Sequence, residues 1–222
     1  MRIQHQTLTD RIHLLIFDTQ RDVTSTFLRF QEYYESPKFR GKIFSLEEFK
    51  AWYVQNSPKG RKTGKFTYYT DWNGFNIPSY VLRPFYSGKF DPFSEQEKEF
   101  LEIFKDKQEP FYIIGVHRAT KKLSSLLKHE VAHGLFYTDE DYRREVFAIL
   151  SQFDIEPIKV ELRSKAGYHE QVLKDECHAH SIASIKKLKT PISKELSKSL
   201  RWIYKKYFKM RGTGILSPPR LD

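Results

Sequence analysis

The chain is 222 residues long, 39% hydrophobic, 15% aromatic and 30% charged, with a formal net charge of +10. That length suffices for one cored domain, or one domain with a small appendage, and the aromatic content excludes a disordered polymer. A single cysteine, Cys177, excludes a disulfide framework or a cysteine-rich zinc ribbon, and no apolar run is long enough for a signal peptide or a membrane span.

From the N-terminus, residues 11–19 read as a first strand and 23–35 as an amphipathic helix. Ser45, three residues before Glu48, is a capping box that opens a second helix to about residue 55. The stretch NSPKGRKTGK (56–65) reads as a turn-rich loop. Aromatic and polar residues then alternate on both sides of Asn73-Gly74, which predicts a β-hairpin. Ser94 and Glu97 repeat the capping box and open a helix to about residue 107, and EPFYIIGV (109–116) reads as a buried strand. Helices follow over 121–136, 138–153, 158–184 with a break near Gly167, and 193–210, before a loose tail. Strands early and helices late predict an α+β fold, a small mixed or antiparallel sheet followed by a helical C-terminal half.

The charge is unevenly placed. Residues 185–222 carry eleven Lys and Arg against Glu195 and Asp222, a net +9. Such a segment draws in nucleic acid, anionic lipid or an acidic protein, or it is a solvated helix face.

The stretch LLKHEVAHGLFY (126–137) carries the most chemistry. A helix turns about 100° per residue, so His129 and His133 present two imidazoles to one point, as a tetrahedral metal requires. Glu130 stands beside that point without being a ligand, placed to act as general base in the manner of H-E-x-x-H metallohydrolases. Leu126, Leu127, Val131, Ala132, Leu135 and Phe136 predict that the helix is packed on nearly all sides. Burying two histidines and a glutamate without partners costs several kcal/mol, and Zn2+ supplies a partner.

A catalytic zinc takes three protein ligands and keeps one position open. Downstream, GYHEQVLKDECHAHSIAS (167–184) contains Glu176 at the head of E-C-H-A-H. With H-E-x-x-H on one helix and this glutamate on a later one, the chain resembles the gluzincin zinc metallopeptidases from about Phe111 to Ser184. The resemblance implies a zincin-like fold with His129, His133 and Glu176 as ligands and Glu130 as catalytic base. It also implies that Ala179 is the small residue that lets the two helices approach. Where the family often has an aspartate orienting a ligand histidine, this chain has His180. That role then falls to another carboxylate, Asp175 or Asp139, or is absent. Zincin folds place an edge strand above the active-site helix, so FYIIGVHR is the expected edge for an extended peptide.

Three rivals compete for the third ligand. Asp139 lies ten residues after His129, where metzincin peptidases place theirs, but Phe136 replaces the glycine that turns their chain. His178 and His180 would serve zinc as well as a carboxylate does, and SprT-like nucleic-acid-associated proteases use a third histidine. Tyr168, with His169 and His178 behind it, is the candidate for stabilising an oxyanion, and Trp72 and Phe75 are candidates for a hairpin near the cleft.

These readings converge on one expectation. Residues 1–184 form a zincin-like single domain, a zinc metallopeptidase acting on peptide or protein substrates, and 185–222 are a basic helical extension packed on or appended to it. The alternative is a basic nucleic-acid- or acidic-partner-binding protein with a structural or inactive zinc site. A cytoplasmic or otherwise intracellular location, with no signal peptide, completes the expectation.

Overall fold

The structure, a computed structural model, describes residues 2–166, 172–183 and 188–212. The chain falls into two compact units, residues 1–6 with 13–120, and residues 7–12 with 121–222. The expected break near Gly167 and the expected loose tail beyond Gly212 lie outside the described residues.

The chain begins with two strands, β1 (Ile3–Thr9) and β2 (Ile12–Phe17), of which residues 7–12 count with the second unit. The sequence predicts only the second, because β1 alternates with polar Gln4 and Gln6 and is largely half-buried or exposed, whereas every residue of β2 is buried. Helix α1 (Gln20–Glu35) starts where the Thr19 hydroxyl accepts from the Asp22 N–H. Helix α2 (Leu46–Asn56) follows with both bonds of the Ser45–Glu48 capping box in place. The expected loop at 56–65 is instead largely a short helix, α3 (Pro58–Thr63), with proline in its first turn and Gly64 in the left-handed conformation after its end. Then come β3 (Gly74–Pro78), α4 (Arg83–Tyr86), α5 (Glu95–Phe104) with the second capping box intact, and β4 (Tyr112–His117).

The four strands form one sheet in the order β1-β2-β4-β3. Two expectations fail here. Residues 68–70 form a 3-10 turn and not the first arm of a hairpin, and β3 pairs antiparallel with β4 from Gly74↔Val116 to Pro78↔Tyr112. The aromatics before Asn73 are drawn elsewhere: Phe66 and Tyr68 pack edge-on against Phe49 and Tyr53 of α2, and the Tyr68 hydroxyl donates to Glu32 at 2.7 Å. Strand β4 is also no edge. It lies between β2 and β3 with all six residues buried, so it has no open side for a peptide strand.

Helix α1 packs on this sheet through Phe27, which stacks on Phe75 at 5.6 Å and meets Phe100 edge-on at 5.0 Å. That approach explains Gly115: a Cβ there would lie 2.4 Å from the Phe27 ring. Arg29 and Glu97 form a buried two-point ion pair at 2.6 Å, with the Phe90 carbonyl accepting a further guanidinium N–H. Glu97 thereby closes the α5 cap and neutralises a buried arginine.

The second unit is helical: α6 (Leu123–Thr138), α7 (Glu140–Leu150), α8 (Glu156–Ala166), α9 (Leu173–Ala183) and α10 (Lys194–Arg211). Helix α6 packs chiefly along α9, and α10 lies on α7 and α9. Leu196, Leu200, Ile203 and Tyr207 form the buried side of α10. Glu161 accepts the N–H groups of Lys189 and Thr190, each at 2.7 Å, and so ties the segment before α10 to α8. At the other end of α10 the Arg211 carbonyl accepts the Asp10 N–H, and Thr9 pairs with Gly212. Among the described residues no helix is long and apolar enough to cross a membrane.

Candidate metal centre

Helix α6 is buried without interruption from His129 to Leu135, as its flanking residues predict. The i, i+4 spacing brings His129 Nε2 and His133 Nε2 to 3.2 Å. From α9, Glu176 places one carboxylate oxygen 3.8 Å from His129 Nε2 and the other 3.7 Å from His133 Nε2. One donor atom from each of these three residues lies within 4.8 Å of the other two. Around a tetrahedral zinc with bonds near 2.0–2.2 Å, neighbouring donors stand about 3.3–3.6 Å apart, so the observed spacing needs only small movements to close on an ion.

The charge balance points the same way. Burial opposes the charged form of His133, but Asp175, then Glu176 and Glu130, outweigh it and raise its pKa to about 10. Asp175, Glu176 and Glu130 thus set a negative field at His133 that favours a positive charge there, either a proton or a divalent cation that replaces the proton on Nε2.

Behind His133 runs a line of hydrogen bonds through the half-buried Asp175. His133 Nδ1 lies 2.8 Å from Asp175 Oδ2, His178 Nδ1 lies 3.3 Å from Asp175 Oδ1, and the Tyr142 hydroxyl lies 2.7 Å from His178 Nε2. The donors follow from chemistry. Asp175 only accepts, so both histidines donate from Nδ1, which leaves His133 Nε2 as a lone-pair donor to a metal and His178 Nε2 as acceptor for Tyr142. Burial alone would raise the Asp175 pKa, yet His133 and His178 hold it below the usual carboxylate range. Burial lowers the pKa of His178 and pushes the Tyr142 hydroxyl well above its ordinary value, which keeps both neutral.

The other candidates separate cleanly. Asp139 is the N-cap of α7: one oxygen accepts the Tyr142 N–H at 2.9 Å and the other takes Arg211 at 3.0 Å, so it serves the fold. Both nitrogens of His178 are engaged in the line to Tyr142, and it stands behind the centre. His180 borders the centre, with Nε2 3.7 Å from Glu176 and its ring edge-on to His129 at 4.8 Å. Glu130 is buried beside His129 and adds to the negative field at His133. Ala179 is fully buried on α9. Tyr168 and His169 lie outside the described residues. Trp72 is exposed and belongs, with Phe75, to the first unit.

Sequence reasoning missed Tyr142. The local signal was the i, i+3 spacing of Asp175 and His178, which puts a carboxylate and an imidazole on one face of α9. No family model matches the chain, and no curated protein or solved structure matches it.

Proposed function

We propose that the protein is a zinc-dependent metallopeptidase of gluzincin-like, zincin type, with His129, His133 and Glu176 as ligands. The observation that supports this most is the convergence of both Nε2 atoms and the Glu176 carboxylate at spacings near those of a tetrahedral ion, with Asp175 fixing His133 from behind. His129, His133 and Glu176 are also as many donors as a catalytic zinc takes from protein.

A zinc ion held by His129, His133 and Glu176 would supply Lewis acidity toward a carbonyl oxygen and would lower the pKa of water. Glu130 takes the proton of the attacking water on its carboxylate and delivers it to the departing amine nitrogen. Asp175 keeps the His133 proton on Nδ1, so the lone pair of Nε2 faces the centre. The burial of Glu130 and Glu176 restricts bulk water and strengthens every charge interaction in the site.

Metal analysis of the purified protein, combined with digestion of an unbiased peptide library, tests the reading. About one zinc per chain and metal-dependent cleavage are expected. A protein that binds no zinc, or binds it and cleaves nothing in the library, overturns it.

A further inference from the structure

The outer face of α10 carries a row of cations that the metal centre does not use. At about 100° per residue, Lys194, Lys198, Arg201, Lys205 and Lys209 fall within one arc of roughly 80°. That arc lies opposite the buried side formed by Leu196, Leu200, Ile203 and Tyr207. It runs about 22 Å along the helix. Lys194, Lys198, Lys205 and Lys209 are exposed, and among the described residues none of them has an ion-pair partner. Lys206 differs, since it is taken up by Glu145 at 2.8 Å.

At the edge of this row stands Trp202, 65% exposed, the most exposed large hydrophobic side chain in the described structure. It borders a concavity of about 480 Å³ whose other walls include Ile192, Lys194, Lys198, Arg201 and Lys205. Lys206 Nζ lies over one face of this indole, 5.7 Å from its centroid, and most of the remaining ring is in water. A face left in water suits the stacking of a planar base while the flanking ammonium groups meet phosphates.

We propose that the outer face of α10 binds single-stranded nucleic acid, with Lys194, Lys198, Lys205 and Lys209 tracking the phosphates and Trp202 stacking on a base; Arg201, in the same arc, is engaged by the Ile182 carbonyl at 3.1 Å. A membrane fits less well. The apolar side chains that would enter a bilayer are buried in the fold, and Trp202 and Met210 are the large apolar groups that α10 exposes. An acidic peptide would meet the lysines but leave the indole without a matching plane.

The test uses the full chain and a fluorescein-labelled twelve-residue oligothymidine, followed by anisotropy across a salt series. Four phosphate contacts give a slope of log K against log salt of about −2.8 on a single strand. The double variant Lys198→Gln with Lys205→Gln should reduce that slope in magnitude by about 1.4. Trp202→Ala should weaken binding roughly 5- to 150-fold, and Trp202→Phe should recover most of it. All three side chains are exposed, and unchanged melting temperatures verify that the variants remain folded. Absence of binding, or full affinity in Trp202→Ala, overturns the proposal. So does binding as tight to polyglutamate or to phosphatidylserine vesicles as to the oligonucleotide, which would reassign the face to acidic protein or lipid.

Discussion

The Asp175 carboxylate lies 2.8 Å from Nδ1 of His133, one residue ahead of Glu176 on the same helix. One turn of α9 thus supplies both a carboxylate that faces the two Nε2 atoms and a carboxylate that orients one of them from the far side. The first prediction follows. Asp175→Asn keeps the shape but weakens the acceptor, and zinc affinity, read by competition with a chromophoric chelator, should fall about 10–100-fold. Tyr142→Phe should cost about 1–2 kcal/mol of stability, because it strips a buried acceptor of its donor, with a smaller effect on the metal. Unchanged affinity in Asp175→Asn would remove it from the site.

Ligand identity is tested by a pair of truncations. Glu176→Ala should lose zinc as severely as His133→Ala, and more than any orienting residue does. Asp139→Ala should keep the metal yet lose about 0.5–2 kcal/mol of stability, the worth of a helix cap. Retention of zinc by the first and its loss by the second would transfer the third ligand to Asp139.

Glu130→Gln keeps size and polarity while removing the ability to accept a proton. The variant should fold, hold about one zinc per chain and lose hydrolysis by roughly 10²–10⁴-fold. Loss of the metal would make Glu130 a ligand, and wild-type turnover would exclude it as the base.

Acid sensitivity should come partly from the first unit. His13 is buried, 3.2 Å from His5 and edge-on to Phe104 and Phe111. Burial, helped by His5 and Lys107, lowers its pKa to about 4. The folded state therefore excludes a proton that the unfolded chain accepts below its ordinary value of 6.5. The stability this group confers is present above pH 6.5 and is lost as pH falls toward 4, by up to about 1.4 kcal/mol per unit. In chemical unfolding at several pH values, His13→Gln should flatten that part of the profile. A profile as steep as the parent's would place the acid sensitivity elsewhere.

Much of this structure is local and was legible without coordinates. The Ser45–Glu48 and Ser94–Glu97 boxes mark where α2 and α5 begin because each cap closes within four residues. His129 and His133 share a face of α6 through helical period alone, and the same period sets the cations of α10 opposite its apolar side. What lay beyond sequence were choices among partners distant in the chain. Asp139 and Asp175 are both carboxylates within reach of a plausible pattern. Asp139 caps α7 through the nearby Tyr142 N–H, but only the packing of α9 along α6 gives Asp175 to His133, and only the approach of Arg211 engages the second oxygen of Asp139. His178 reads as a ligand until Tyr142, thirty-six residues earlier, takes its second nitrogen. Strand β3 looks like half of a local hairpin until the aromatics before it settle on α2 and β4 becomes its partner. Caps and periodicity are fixed by bonds spanning a few residues; a ligand's orientation and a strand's neighbour depend on which distant surfaces bury each other, and that is decided by the fold as a whole.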